Sequence, residues 1–177
     1  PHEAELWRTR LGNGGFNVGI VWAGNPKHKN DRNRSCALDY FLPLADIPGV
    51  RLYGVQKEIT AGDNVFNRGI LTDNLGEHLD DFANTAGVLE NLDLLISVDT
   101  SVAHLAGAMG RPVWLLLPFA PDWRWLLNRE DSPWYPTMRI FRQEMLGSWD
   151  SVIKRMAKEL CAVRAGGIQG SGNQKEK

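Results

Sequence analysis

Asp99, Thr100, Ser101 and His104 fall close together in the run Ile96-Ser97-Val98-Asp99-Thr100-Ser101-Val102-Ala103-His104-Leu105-Ala106. The apolar stretch Leu94–Val98 reads as a buried strand, and the small residues after Thr100 read as a helix. A strand that passes straight into a helix leaves backbone N–H groups free at the helix start. The helix dipole adds partial positive charge there. Such a place suits a phosphate or a carboxylate. With Thr100 at the N-cap, His104 sits about one turn in, and its side chain leans back toward the cap. Thr100 and the N–H groups of Ser101 and Val102 could then hold a phosphate, with His104 donating one more bond. The competing reading makes Asp99 or Thr100 an ordinary cap and His104 a satisfied, half-buried side chain. Spacing alone favours the competing reading.

A second chemistry-bearing stretch is Gly24-Asn25-Pro26-Lys27-His28-Lys29-Asn30-Asp31-Arg32-Asn33-Arg34-Ser35. Four cations, Lys27, Lys29, Arg32 and Arg34, face one carboxylate, Asp31. Nothing in it except Pro26 could feed a core. Its place at a strand end suits clamping of a diphosphate, with Gly24 letting backbone approach the ligand. The alternative is a solvated polar loop. Gln56 and Lys57 end another apolar run and could touch a nucleoside, although ordinary surface polarity explains them equally well. In Phe119-Ala120-Pro121-Asp122-Trp123-Arg124-Trp125 the aromatics could wall a pocket, meet a partner domain or pack internally.

Several signatures are missing. There is no G-x-G-x-x-G after the first strand, no G-x-x-x-x-G-K-[ST] and no G-x-S-x-G elbow. No H-x-x-x-H or paired-cysteine spacing predicts a metal site.

The elements that must carry these loops follow from patterning. Residues 2–11 read as a short helix stopped by Gly12-Asn13-Gly14-Gly15. Apolar runs predict strands at 16–22, 50–56, 69–73, 94–98, 112–117 and 138–141. Helices are expected at 37–45, at 79–92 (Leu79, Phe82, Ala83, Ala86, Leu89 and Leu92 on one stripe), after Thr100, and from about Ser148 to Val163. Residues 57–66 are ambiguous between loop and short helix. Gly107-Ala108-Met109-Gly110 offers small residues for close helix packing. The strands are continuous apolar runs alternating with helices, which predicts a doubly wound, mainly parallel α/β sheet of Rossmann-like type. In such sheets ligands bind beyond the carboxyl ends of the strands. That rule singles out the loops after Trp22, Gln56 and Val98. There is no internal repeat. The domain is expected over 16–165, with 1–15 a linker helix and 166–177 a disordered tail.

The chain has 177 residues, 43% apolar and 23% charged, which suits one ordinary soluble domain. Its net charge of −1 argues against bulk binding to nucleic acid or anionic membrane. No apolar run is long enough to span a membrane, and no signal peptide is visible. Cys36 and Cys161 lie far apart and read as reduced packing residues of a cytoplasmic protein. The start at Pro1 fits either removal of a methionine or a cut from a longer protein.

Asp99-Thr100-x-x-x-His104-Leu105-Ala106, followed by Arg111-Pro112-Val113 and Leu116-Leu117-Pro118, resembles the heptosyltransferase-like family 9 glycosyltransferases, with their D-T-G-x-x-H-L motif. Val21-Trp22-Ala23-Gly24-Asn25-Pro26 and Asp122-Trp123-Arg124-Trp125 are similar to the carboxyl-terminal domain of bacterial proteins that join tetratricopeptide repeats to such a domain. The resemblance covers about residues 16–163. It implies a GT-B architecture of two facing Rossmann-like domains, of which this chain is the donor-binding one. By the resemblance, Asp99, Thr100, Ser101 and His104 lie at the donor's pyrophosphate and sugar. Lys29, Lys27, Arg32 and Arg34 lie near its phosphates, and Gln56 and Lys57 near its nucleoside. It implies metal-independent chemistry with no cofactor, and a catalytic base on an amino-terminal domain outside this chain. Ser101 stands where the family has Gly, which narrows the space for the donor. The expected function is sugar transfer from a nucleoside-diphosphate sugar to a hydroxyl of a lipopolysaccharide-like or protein acceptor. The rival expectation is a non-catalytic nucleotide-binding or interaction module of a repeat-containing protein.

Overall fold

The computed structural model describes residues 2–12, 14–57 and 69–166. In chain order the first elements are α1 (His2–Leu11), β1 (Phe16–Val21), α2 (Asp31–Arg34), α3 (Leu42–Ala45), β2 (Val50–Gly54) and β3 (Asp73–Asn74). They are followed by α4 (Phe82–Glu90), β4 (Leu94–Val98), α5 (Ser101–Ala108), β5 (Val113–Leu117), β6 (Met138–Arg142) and α6 (Asp150–Gly166). The six strands form one all-parallel sheet in the order β3-β2-β1-β4-β5-β6. Every residue of β4 and of β5 is buried, as strands covered on both faces must be. One face, with Val18, Ile20, Leu52 and Ile96, packs under Phe41, Leu44, Ile153 and Met156. The other, with Tyr53, Leu95 and Leu115, packs under Trp7, Val88, Leu89 and Ala103. This is the doubly wound, Rossmann-like α/β fold that the patterning predicts.

Helix α1 is docked into the domain. A Cβ on Gly87 of α4 would meet Glu3 Cβ at 2.9 Å and Trp7 Cδ1 at 3.0 Å, so only glycine lets the two helices come this close. Asn91 Nδ2 donates to the Ala4 carbonyl at 2.7 Å, and the Tyr53 hydroxyl donates to the Leu11 carbonyl at 3.2 Å.

The boundaries depart from expectation at several points. The helix expected at 37–45 is a 3-10 turn, Leu38–Phe41, followed by the single turn of α3. Pro43 has no N–H to continue a ladder from the preceding turn, so the helix restarts with proline near its beginning. The strand expected at 69–73 shrinks to Asp73–Asn74, and the polar loop after β1 contains the one-turn α2. Helix α4 starts at Phe82, because Asp81 caps it by accepting from the Asn84 N–H at 2.8 Å. Phe82 is consequently 63% exposed, and Ala83 is exposed too; neither belongs to the buried stripe. Cys36 is buried, its thiol 3.6 Å from the Trp22 carbonyl, but Cys161 is exposed on α6 and lies outside the core. The expectations for residues 58–66 and 167–177 lie outside the described residues.

Both margins of the sheet are short or covered. β3 is two residues long. Outside β6, the Ile140 N–H donates to the Glu130 carbonyl at 2.6 Å, and Asp131 bridges Arg139 in antiparallel fashion.

Candidate functional site

The strand order reverses between β1 and β4, so the connections leaving these neighbouring strands diverge and open a crevice at their carboxyl ends. A hollow of about 480 Å³ lies there. It is lined from beyond β1 by Gly24 and Asn25, from beyond β2 by Gln56 and Lys57, and at the start of α5 by Thr100, Ser101 and Val102. Arg34 and the residues that open α4, Asp80 to Phe82, complete the wall. The three strand-end loops singled out by the sequence therefore share one hollow.

Of the four cations in the loop after β1, Arg34 is the one that reaches it. The turn α2 brings Asp31 and Arg34 onto one side, and Asp31 Oδ1 accepts from Arg34 Nε at 3.1 Å. Ser35 Oγ donates to the same carboxylate oxygen at 3.0 Å and accepts the Gly24 N–H at 2.9 Å. The free end of the guanidinium crosses the crevice, where Nη1 donates to the Asp99 carbonyl at 2.8 Å. Gly24 makes room for this: a Cβ there would lie 2.2 Å from Arg34 Nη2. The glycine thus admits a side chain of this chain at a place where it also lines the hollow. Lys27, Lys29 and Arg32 are exposed and stand outside the lining.

At the start of α5, Thr100 occupies the N-cap with extended backbone but makes no side-chain cap. Ser97 Oγ donates to the Val98 carbonyl at 2.7 Å, so in its 3.1 Å contact with Thr100 Oγ1 the threonine is the donor. The Asp99 carboxylate also points elsewhere. Among the described residues no side chain therefore caps the first N–H groups of α5, and Thr100 to Val102 face the hollow. Ser101 is exposed there.

Asp99 and His104 form a second cluster behind this turn. Trp125 Nε1 donates to Asp99 Oδ2 at 2.9 Å, and His104 Nε2 lies 3.4 Å from Asp99 Oδ1. His104 Nδ1 is 3.0 Å from the Tyr135 hydroxyl. With Nε2 carrying the proton toward Asp99, Nδ1 accepts from Tyr135. The imidazole stacks on Trp125 at 5.3 Å and 24°. Burial pushes the Asp99 carboxyl up, but hydrogen bonds from His104 and Trp125, with the charges of His104 and Arg124, outweigh it and hold its pKa below the usual carboxylate value. Both His104 nitrogens are engaged within the protein, as in the satisfied-histidine reading.

Gln56 is buried, and its Oε1 accepts the Ala23 N–H at 3.2 Å, tying the ends of β2 and β1. Lys57 is exposed and donates to the Asp80 carbonyl at 3.3 Å. Behind them a Cβ on Gly76 would stand 1.9 Å from the Gln56 carbonyl oxygen, so the two segments touch backbone to backbone.

Sequence reasoning missed Asp80, Phe82 and Tyr135 as neighbours of the site. Asp81 with Asn84 three residues on carried the cap signal that would have exposed Phe82. Tyr135 had no local signal, being 31 residues from the histidine it meets. The aromatic loop divides: Trp125 is fully buried, whereas Phe119 and Trp123 are 52% and 78% exposed. Gly107 provides a close approach, for the Tyr135 ring rather than for a helix, its Cβ position lying 2.6 Å from Tyr135 Cγ. Among the described residues no three histidine, cysteine or acidic side chains are grouped to hold a metal ion. No described helix is long and apolar enough to cross a membrane.

The fold and the hollow define a Rossmann-like α/β domain with a crevice at its switch point. No known family profile matches the chain, and no solved structure matches it. Among curated proteins it is similar to Protein FlbA of Caulobacter vibrioides, with 27% identity over 171 residues. That similarity covers 90% of this chain and 28% of FlbA, so the chain spans little more than a quarter of that relative's length.

Proposed function

We propose that the hollow between β1 and β4 holds the diphosphate of a nucleoside-diphosphate sugar. The domain is then the donor-binding part of a glycosyltransferase that passes a sugar to an acceptor hydroxyl. The observation that carries this reading is the meeting of the Arg34 guanidinium and the uncapped first turn of α5 in one hollow. A charged group able to contact two phosphate oxygens and a set of backbone N–H donors are what a departing diphosphate needs. Both are fixed before ligand arrives: Arg34 by Asp31 and the Asp99 carbonyl, the N–H groups by the helix. Fixed donors stabilise developing leaving-group charge without reorganisation. No general base is assigned to this chain. The resemblance puts that group on an amino-terminal domain, and it makes the acceptor lipopolysaccharide-like or a protein.

Titration calorimetry of this chain with uridine, adenosine and guanosine diphosphates tests the reading. At least one should bind, more weakly as salt rises. Failure of all three to bind at millimolar concentration removes it. The engagement of both His104 nitrogens by Asp99 and Tyr135 favours a second reading, a nucleotide-binding module without catalysis. Diphosphate binding without sugar transfer by the longest natural protein that carries the domain would select the second reading.

A further inference from the structure

Eight large apolar side chains are more than half exposed among the described residues, and six of them stand on two neighbouring segments. Phe119, Trp123, Leu127 and Trp134 lie between β5 and β6, and Met145 and Leu146 lie between β6 and α6. The other two, Leu6 and Phe82, are on α1 and α4. Buried Gln143 joins the two segments: its Oε1 accepts from the Phe119 N–H at 3.1 Å and from the Gly147 N–H at 3.2 Å. Arg142 Nη2 donates to the Leu126 carbonyl at 2.9 Å, which ties that part of the chain to the end of β6. Trp134 Nε1 donates to the Arg124 carbonyl at 2.9 Å, which sets its indole beside the turn that carries Trp123. None of the six lines the hollow. We infer that this apolar face pairs with the same face of a second copy of the chain. The pairing makes no use of what the hollow binds.

Three observations support it. The first is area. Scaled by their exposure, side chains of these sizes present on the order of 700 Å² of apolar surface. That exceeds the largest apolar patch of a typical monomer, roughly 300–600 Å². It approaches the roughly 800 Å² that each partner gives to a stable interface. The second is preparation. The bonds from Gln143, Arg142 and Trp134 hold the segments in place beforehand, so little ordering is lost on association. The Trp134 N–H is already satisfied inside the chain, and the rest of its indole is free to be covered. The third is charge. Asp122 accepts from Arg124 at 2.9 Å, and Asp131 from Arg129 at 2.6 Å, so these charges are matched within the segment itself. A face whose charges are paired at home meets its own copy across a two-fold axis without like-charge repulsion. The same pairing deprives it of the free cations that draw an apolar face to anionic lipid.

The test is sedimentation velocity of the whole chain across the micromolar range. The parent should pass from monomer to dimer as concentration rises. Trp123→Ser should weaken the dimer about tenfold or more, because a tryptophan anchor is lost from both sides of the two-fold contact. Trp123→Ser combined with Leu146→Ser should leave only monomer. Both positions are exposed, so the variants should keep the parent's circular dichroism. Leu6→Ser, an equally exposed apolar position on α1, should associate like the parent. A parent that stays monomeric throughout overturns the pairing. A loss with Leu6→Ser equal to that with Trp123→Ser overturns it too, by showing unspecific association. Flotation of a monomeric parent with phosphatidylcholine vesicles, abolished by Trp123→Ser, would give the face to lipid instead. A longer natural protein that carries the domain and remains monomeric would give it to another part of that protein.

Discussion

Arg34 donates to the Asp99 carbonyl at 2.8 Å, so the cationic turn after β1 and the end of β4 are physically joined. The guanidinium lies against the backbone face of Gly24, where a Cβ would come within 2.2 Å of it.

This contact predicts that Gly24→Ala behaves like Arg34→Gln. Each should weaken diphosphate binding by about tenfold, in the range lost with one charge-assisted contact. Because both act through one side chain, the double variant should bind no worse than Arg34→Gln alone. Additive losses in calorimetry would show that Gly24 serves the ligand directly.

Lys27, Lys29 and Arg32 are exposed and outside the lining. Replacing all three with Gln should lower affinity only through long-range attraction. The loss should be visible at low salt and should vanish near physiological ionic strength, where screening acts over about 8 Å. A loss that persists at high salt would mean these side chains close onto the ligand.

Asp99 predicts an acid sensitivity. Burial raises its pKa, but its hydrogen bonds from His104 and Trp125 bring the net value below the ordinary carboxylate value. The folded pKa is thus depressed relative to the unfolded one of about 3.9. The associated stability is fully present above the unfolded pKa and is lost as pH falls through the folded pKa. Asp99→Asn should cost about 1–3 kcal/mol at neutral pH and should flatten the acid limb of a stability-against-pH curve. Parallel curves for variant and parent, measured by urea unfolding, would remove Asp99 from the account.

Gly76→Ala should destabilise the domain by about 1–3 kcal/mol, since its Cβ would meet the Gln56 carbonyl oxygen, which is backbone and cannot swing aside. The same change should disturb Gln56, whose side chain holds the Ala23 N–H. A lowered urea midpoint together with weaker nucleotide binding is the expected pair of results; an unchanged midpoint would mean that the crossing relaxes freely.

The strand-end loops were legible because the continuous apolar runs of β1, β2 and β4 identify buried parallel strands, and parallel strands put their carboxyl ends on one side. The choice of Arg34 among four cations was not legible. It depends on the one-turn α2 and on Asp31 holding the side chain, and a four-residue helix leaves little periodic signal. Phe82 was misplaced because helical spacing records which residues share a face but not where the helix begins. The cap at Asp81 puts Phe82 in the first turn, outside the buried stripe. His104 was ambiguous for a different reason: its partners Trp125 and Tyr135 come from after β5, and tertiary contacts of that reach leave no trace in local spacing.

The brevity of β3 and the cover over β6 restrict how the domain meets other chains. Among the described residues neither flank offers a long row of open amides and carbonyls, so an incoming polypeptide finds little template there for strand addition. Of the described surface, that leaves the side chains of loops and helices, rather than the margins of the parallel ladder, as the ground on which another chain could be met.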